Sequence, residues 1–155
     1  MIVLGVDPGT RVAGYGVVSM VDGKFEVIDM GVVKMNPKKS IGERLIVLRE
    51  GLEEVFSKHD PDVVYVERVF VYKNSDSALK LKMSNSVAHE LAAGHGRSCF
   101  EVSAKSAKKC ATGDGSATKN TVRRAVQRIC KLDSPPPADA ADAVAIALCG
   151  ASRAA

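Results

Sequence analysis

The sequence predicts an α/β fold in which a mixed five-stranded sheet, led by three antiparallel strands, is flanked by helices. Three observations support this. The first 35 residues are short β-branched runs separated by turn residues, and the remainder alternates between strand and helix periodicity. The length of 155 residues suits a single domain spanning 1–155, and 46% hydrophobic and 26% charged residues are typical of a globular protein.

The leading strands are predicted at 2–6, 11–20 and 25–35. The first ends in the turn "DPGT", and "VDGK" between the second and third carries the Asp-Gly pair of a hairpin. Since short connections join neighbouring antiparallel strands, these segments should form a three-stranded meander.

The next elements are a helix at 40–59, a strand at 63–67 and a second helix at 74–94. Ser40 and Glu43 make a capping box for the first helix. The second helix has two apolar stripes, which consist of Ala78, Leu81, Ala88 and Leu91 and of Leu79, Met83 and Val87. The stripes indicate either one core face and one face for a partner subunit, or a helix buried deeply within its own domain.

A fifth strand is predicted at 98–103. Helices at 103–111 and 118–131 and a final helix from about Ala138 to Ala151, behind the stop "SPPP", complete the order.

Four carboxylates fall at positions that can meet. Asp7 ends the first strand and Glu67 the fourth, while Asp139 and Asp142 lie three residues apart at the start of the last helix. Four anions at one place would repel each other unless a cation joined them. Mg²⁺ or Mn²⁺ suits such hard oxygen ligands, and two ions can activate a water and stabilise a leaving oxygen. Each carboxylate alone is equally typical of a turn, a helix cap or a solvated strand end.

The positive charge is concentrated in one segment. Residues 97–131 hold nine Lys or Arg against two acidic residues, within a chain whose net charge is +4. Such a segment favours a polyanionic partner, although a solvated helix face has the same pattern.

No apolar run approaches the length of a membrane span, and the N-terminus lacks the features of a signal peptide. We therefore expect a cytoplasmic protein without a membrane partner. The four cysteines form no C-x-x-C pair and are expected to be buried, reduced thiols.

The chain resembles the RuvC-type Holliday junction resolvases along nearly its whole length. The matching motifs, in family order, are "LGVDPGTRVAGYGVV", "PDVVYVERVF", "KNSDSALKL", "TGDGSATK" and "PPPADAADAVAIAL". The resemblance implies an RNase H-like fold and a Mg²⁺-dependent homodimer that nicks two strands of a four-way DNA junction symmetrically. It also implies cooperation with the branch-migration proteins RuvA and RuvB.

By the same resemblance, Asp7, Glu67, Asp139 and Asp142 are the catalytic, metal-binding set. Phe70 matches an aromatic residue used near the crossover, and Lys108 and Lys119 match residues that contact DNA. With neighbouring aromatic and basic residues, the expected DNA contacts are Phe70, Tyr72, Lys73, Lys108, Lys119, Arg123 and Arg68.

Two departures from the family pattern are visible. The segment "LKMSNS" at 81–86 stands where "LGQARG" is common, so Lys82 replaces a glycine on the helix expected to face the partner. Arg68 stands where Gln is frequent, and it can either add a phosphate contact or alter the preference for junctions.

Other functions remain open from the residues alone. An RNA-processing nuclease can use the same fold and carboxylates, and a non-catalytic junction-binding protein can use the same basic face. The turn "DPGT" also resembles the phosphate turn of nucleotide-binding phosphoryl-transfer proteins, although these need two such lobes and 155 residues supply one.

Overall fold

The computed structural model describes residues 1–71 and 75–154. Its sheet has the strand order β3-β2-β1-β4-β5. The strands are β1 (Ile2–Asp7), β2 (Val12–Val21), β3 (Lys24–Lys34), β4 (Val63–Glu67) and β5 (Ser98–Val102). Neighbours among β1, β2 and β3 pair antiparallel, whereas β1–β4 and β4–β5 pair parallel. The predicted mixed sheet, with three antiparallel strands first, is confirmed.

Five helices connect and follow these strands in the described part of the chain. They are α1 (Ile41–His59), α2 (Asp76–Gly94), α3 (Ala104–Thr112), α4 (Lys119–Cys130) and α5 (Ala138–Ala154). The first four begin at a Ser or Thr whose side-chain oxygen accepts a hydrogen bond from a backbone N–H three residues later. Such caps end the preceding loop at a defined residue, which is why the helix starts were predictable.

The helices cover both faces of the sheet. Leu4 and Val6 of β1 pack in a core with α1 and α2, whereas Val3 packs in a second core with α3, α4 and α5. Because side chains alternate along a strand, Asp7 shares the face of Val3 and Gly5. The same alternation puts Glu67 in phase with Tyr65, which belongs to the α5 core. Both carboxylates are therefore directed towards the layer that contains α5.

Helix α5 lies directly against the backbone of β1 and β2. A Cβ atom added at Gly14 would overlap the Asp139 carbonyl, and one added at Gly5 would overlap the Ala143 carbonyl. Gly14 is also the antiparallel partner of Asp7. The missing side chain at Gly14 thus allows the first turn of α5 to approach the end of β1.

The cysteine prediction was wrong in part. Cys149 is buried and Cys99 and Cys130 are half-buried, but Cys110 is exposed because α3 is a surface helix that buries mainly Ala107. All four are free thiols. Within the described residues, none of the helices combines the length and the hydropathy needed to cross a membrane.

Candidate active site

Four carboxylates and two lysines line one cleft at the carboxyl ends of β1 and β4. The cleft has a volume of about 320 Å³. Asp7 and Glu67 come from the strand ends, Asp139 and Asp142 from the first turns of α5, Lys108 from α3 and Lys119 from the start of α4. The structure thus brings together acidic residues that are up to 135 positions apart in the chain.

Asp7 is the most buried of the four carboxylates, with 8% of its surface exposed. Burial, followed by repulsion from Glu67, Asp142 and Asp139, raises the pKa of Asp7 to about 9. The side chains of Asp7 and Glu67 interact directly, and this interaction contributes to raising the pKa of Asp7 and lowers that of Glu67. The raised pKa of Asp7 means that this carboxyl group keeps a proton at neutral pH in the metal-free protein.

Burial also raises the pKa values of Glu67 and Asp142, and Asp142 adds to the effect on Glu67. Lys108 and Lys119 act in the opposite direction on both groups. The net pKa shifts remain upward because burial is their largest cause, and the cleft holds four carboxylates against two lysines. The cluster therefore favours additional positive charge in the cleft.

The donor set fits a hard divalent cation. In residues 1–71 and 75–154, no three His, Cys, Asp or Glu side chains already form a complete metal-ligand arrangement. Four carboxylates in one partly buried cleft nevertheless provide the oxygen chemistry that Mg²⁺ and Mn²⁺ prefer.

Two residues that the sequence analysis did not assign to the site hold its backbone. The Gly9 N–H donates to Ser84 Oγ at 3.0 Å, and the Ser84 hydroxyl donates to the Gly9 carbonyl at 2.8 Å. Asn85 Nδ2 donates to the Glu67 carbonyl at 3.0 Å. A signal was present, since Ser84 interrupts the apolar stripe between Leu81 and Ala88.

Of the residues after Glu67 that are predicted to contact DNA, the structure describes Arg68 and Phe70. Phe70 is 54% exposed, and the guanidinium carbon of Arg68 lies 5.9 Å from the centre of its ring. Arg68 Nε also faces a Glu101 carboxylate oxygen at 3.8 Å. Tyr72 and Lys73 lie outside the described residues.

Arg123 has a structural contact that the sequence did not predict. Its Nε donates to the carbonyl of Pro136 at 2.8 Å. Pro136 is buried in the segment that leads into α5. The contact therefore links α4, which begins at Lys119, to the start of the helix that carries Asp139.

Comparison with known proteins identifies the family. A family model described as "Crossover junction endodeoxyribonuclease RuvC" matches residues 3–150. The chain belongs to the RuvC family. A RuvC relative from Legionella pneumophila is 38% identical over 148 residues, which cover 96% of this chain and 85% of the relative.

Solved RuvC structures agree with this assignment. The RuvC structure from Thermus thermophilus superposes with a TM-score of 0.83 at 31% identity, covering 99% of this chain and 95% of that one. A second structure, T. thermophilus RuvC in complex with a Holliday junction substrate, gives a TM-score of 0.84 at 29% identity with the same coverage. The RNase H-like fold and the RuvC family predicted from the sequence are both confirmed.

Proposed function

We propose that this chain is a Mg²⁺-dependent endonuclease that resolves four-way DNA junctions by paired nicking. The observation that carries the proposal is the convergence of four carboxylates and two lysines in one cleft. Members of the RuvC family are named crossover junction endodeoxyribonucleases, and one solved member holds a Holliday junction. Residues 1–155 would work as a single nuclease domain.

Asp7, Glu67, Asp139 and Asp142 are the proposed metal ligands and catalytic residues. We expect two Mg²⁺ ions per site and expect Mn²⁺ to substitute for them. When bound, divalent cations supply the activation of a water molecule and the stabilisation of the leaving oxygen. Asp7 would give up its proton to bind a cation, because the ligand is the carboxylate form and burial raises the pKa of this group.

The lysines and the loop after β4 would position the DNA. Lys108 and Lys119 lie in the wall of the same cleft, where their ammonium groups can hold a phosphate beside the carboxylates. The exposed ring of Phe70 can stack on a base that is unpaired at the crossover, a contact worth about 1–3 kcal/mol. Arg68 beside it, and Tyr72, Lys73 and Arg123, are the further proposed contacts.

A homodimer would present two such clefts to the junction. A groove of about 460 Å³ runs between α1 and α2. It is lined by the apolar residues Leu45, Ile46, Met83 and Val87 and by the polar residues Arg49, Ser86 and Glu90. Ile46 is 59% exposed and Met83 is 47% exposed, which leaves apolar surface for a second copy of the chain. Two-fold symmetry of the protein would then match the symmetry of the paired nicks.

The cellular setting follows from the family resemblance. RuvA and RuvB, which move the branch point, are the proposed protein partners. We place the activity in the cytoplasm, where chromosomal junctions arise in bacteria such as those that supply the relatives.

The test is cleavage of a synthetic four-way junction with and without Mg²⁺. The proposal predicts two symmetric nicks that need Mg²⁺ or Mn²⁺, with a linear duplex and an RNA hairpin largely spared. Asp7→Asn should lower kcat by about 10³-fold or more while junction binding is kept, because the amide removes a charged ligand and preserves the shape.

Glu26→Gln is the matched control, since Glu26 is an exposed carboxylate in β3 outside the cleft. It should cut at the wild-type rate. Normal cutting by Asp7→Asn would refute the carboxylate assignment, and preferential cutting of RNA would favour an RNA-processing nuclease.

A further inference from the structure

Two consecutive polar residues are fully buried in the middle of α2. Ser84 and Asn85 are each 1% exposed. Burying a hydroxyl and an amide costs free energy unless their hydrogen bonds are made inside the protein. Ser84 makes its hydrogen bonds with Gly9, in the turn after β1 and 75 positions away, and Asn85 donates to the carbonyl of Glu67, at the end of β4 and 18 positions away.

Their partners lie just beyond the end of the β1–β4 pairing. The last paired residues of these strands are Val6 and Val66. Gly9 follows Asp7 by two residues, and the Glu67 carbonyl belongs to the other carboxylate residue itself. Beyond Val6 and Val66, β1 and β4 are no longer hydrogen-bonded to each other. One turn of α2 contacts both the turn after β1 and the end of β4.

We infer that Ser84 and Asn85 form a backbone clamp that positions Asp7 relative to Glu67. Ser84 fixes the turn after β1 through two hydrogen bonds, and Asn85 fixes the end of β4 through one. Asp7 is also paired with Gly14 and Glu67 with Val102, but those pairings join each residue to a different strand. Ser84 and Asn85 are neighbours on one helix, so they link the two carboxylate-bearing segments to each other. The inference deepens the proposed function and rests on it.

The clamp falls within the segment "LKMSNS", which departs from the common family pattern. Residues of this segment therefore lie on two different sides of α2. Ser84 and Asn85 face the catalytic backbone, while Met83 lines the groove between α1 and α2. The hydrogen bonds described for the clamp residues go to backbone groups of Gly9 and Glu67, so they are positioning residues rather than catalytic ones.

The test compares Ser84→Ala and Asn85→Ala in the full chain. Residues that orient metal ligands typically change metal affinity or activity by about 10–100-fold when replaced. We expect Mn²⁺ binding, measured by calorimetry without DNA, to weaken by about tenfold. With junction DNA, kcat should fall by about 10–100-fold and KM should stay within about twofold.

Amide hydrogen exchange at Gly9 provides a readout that does not depend on activity. Ser84→Ala should speed this exchange, because it removes the acceptor of the Gly9 N–H. Ser152→Ala is the matched control, since it also deletes a hydroxyl that donates to a backbone carbonyl in a helix of the site. It should change none of the three measurements.

Ser84→Cys keeps the side-chain size with a weaker donor and should fall between wild type and Ser84→Ala, so it replaces the alanine variant if that one does not fold. Unchanged Mn²⁺ affinity and Gly9 exchange in folded variants would overturn the clamp. If the wild type leaves junctions uncut, the proposed function fails, while Mn²⁺ binding and Gly9 exchange still decide whether the clamp exists.

Discussion

Asp7 is a residue whose ionised form lowers the stability of the fold but is needed for the proposed metal binding. Its carboxyl group is 8% exposed and lies among three further carboxylates. Burial and those neighbours raise its pKa to about 9, so the protein keeps a proton there that an exposed aspartate would lose. The residue therefore reduces stability whenever it is forced to ionise without a cation.

The stability of the metal-free protein should consequently fall as pH rises. In the unfolded chain Asp7 ionises near its ordinary pKa of 3.8, whereas in the folded chain it ionises near 9. Between these values the folded state binds more protons, so its stability is full below the lower pKa and is lost as pH rises through the upper one. Glu67 and Asp142 shift in the same direction.

Asp7→Asn should remove much of this slope. In urea unfolding with a chelator present, its stability advantage over wild type should grow by up to about 4 kcal/mol from about pH 5.5 to about pH 8.5, since each pH unit between the two pKa values contributes about 1.4 kcal/mol. Glu26→Gln should show no such difference. An equal effect of Asp7→Asn at both pH values would contradict the upward shift of the Asp7 pKa.

At the scale of elements, the packing of α5 against the sheet determines the positions of Asp139 and Asp142. Gly14 pairs with Asp7 across the strands and has the Asp139 carbonyl directly above it. Arg123 holds the preceding segment through the Pro136 carbonyl. One glycine and one arginine thus fix the start of α5 from two directions.

Gly14→Ala should displace this first turn. The added methyl group has no room, so we expect a destabilisation of about 1–3 kcal/mol and a loss of kcat of about tenfold or more, measured by thermal unfolding and junction cleavage.

Gly94→Ala is the control for the glycine change, because a Cβ there meets nothing within 4 Å. This substitution at the last residue of α2 should be neutral or stabilising by up to about 1 kcal/mol and should leave cleavage unchanged. Equal losses in the two variants would argue against a role for close packing at Gly14.

At the scale of the whole molecule, the groove between α1 and α2 is the proposed contact between two copies. Met83→Lys places a charge among apolar side chains and should weaken the dimer by about 100-fold, as measured by light scattering across a dilution series. Junctions should then be nicked on one strand at a time. Val21→Lys, at an apolar residue that is 61% exposed in β2, should leave the dimer intact. A Met83→Lys protein that stays dimeric would place the interface elsewhere.

The order of elements and the position of the carboxylates were predictable because both depend on local patterns. The alternation of "IVLGVD" and "VVYVE" shows where each strand ends, and Asp7 and Glu67 are the residues at those ends. The spacing of Asp139 and Asp142 shows that they share a helix face. Local pattern therefore accounts for most of the fold and for the acidic half of the site.

The remaining features depend on contacts between distant segments. Nothing near Ser84 in the sequence indicates Gly9 as its partner, and nothing near Arg123 indicates the Pro136 carbonyl. The interaction between Asp7 and Glu67 likewise requires knowledge of how closely β1 and β4 approach. Such contacts are set by packing, which a single sequence does not display.

Because the pKa of Asp7 is raised to about 9, hydrogen ions and divalent cations would compete for the oxygens of this carboxyl group. Acidification and a shortage of the cation should consequently have the same effect on junction cleavage, since either one leaves Asp7 protonated.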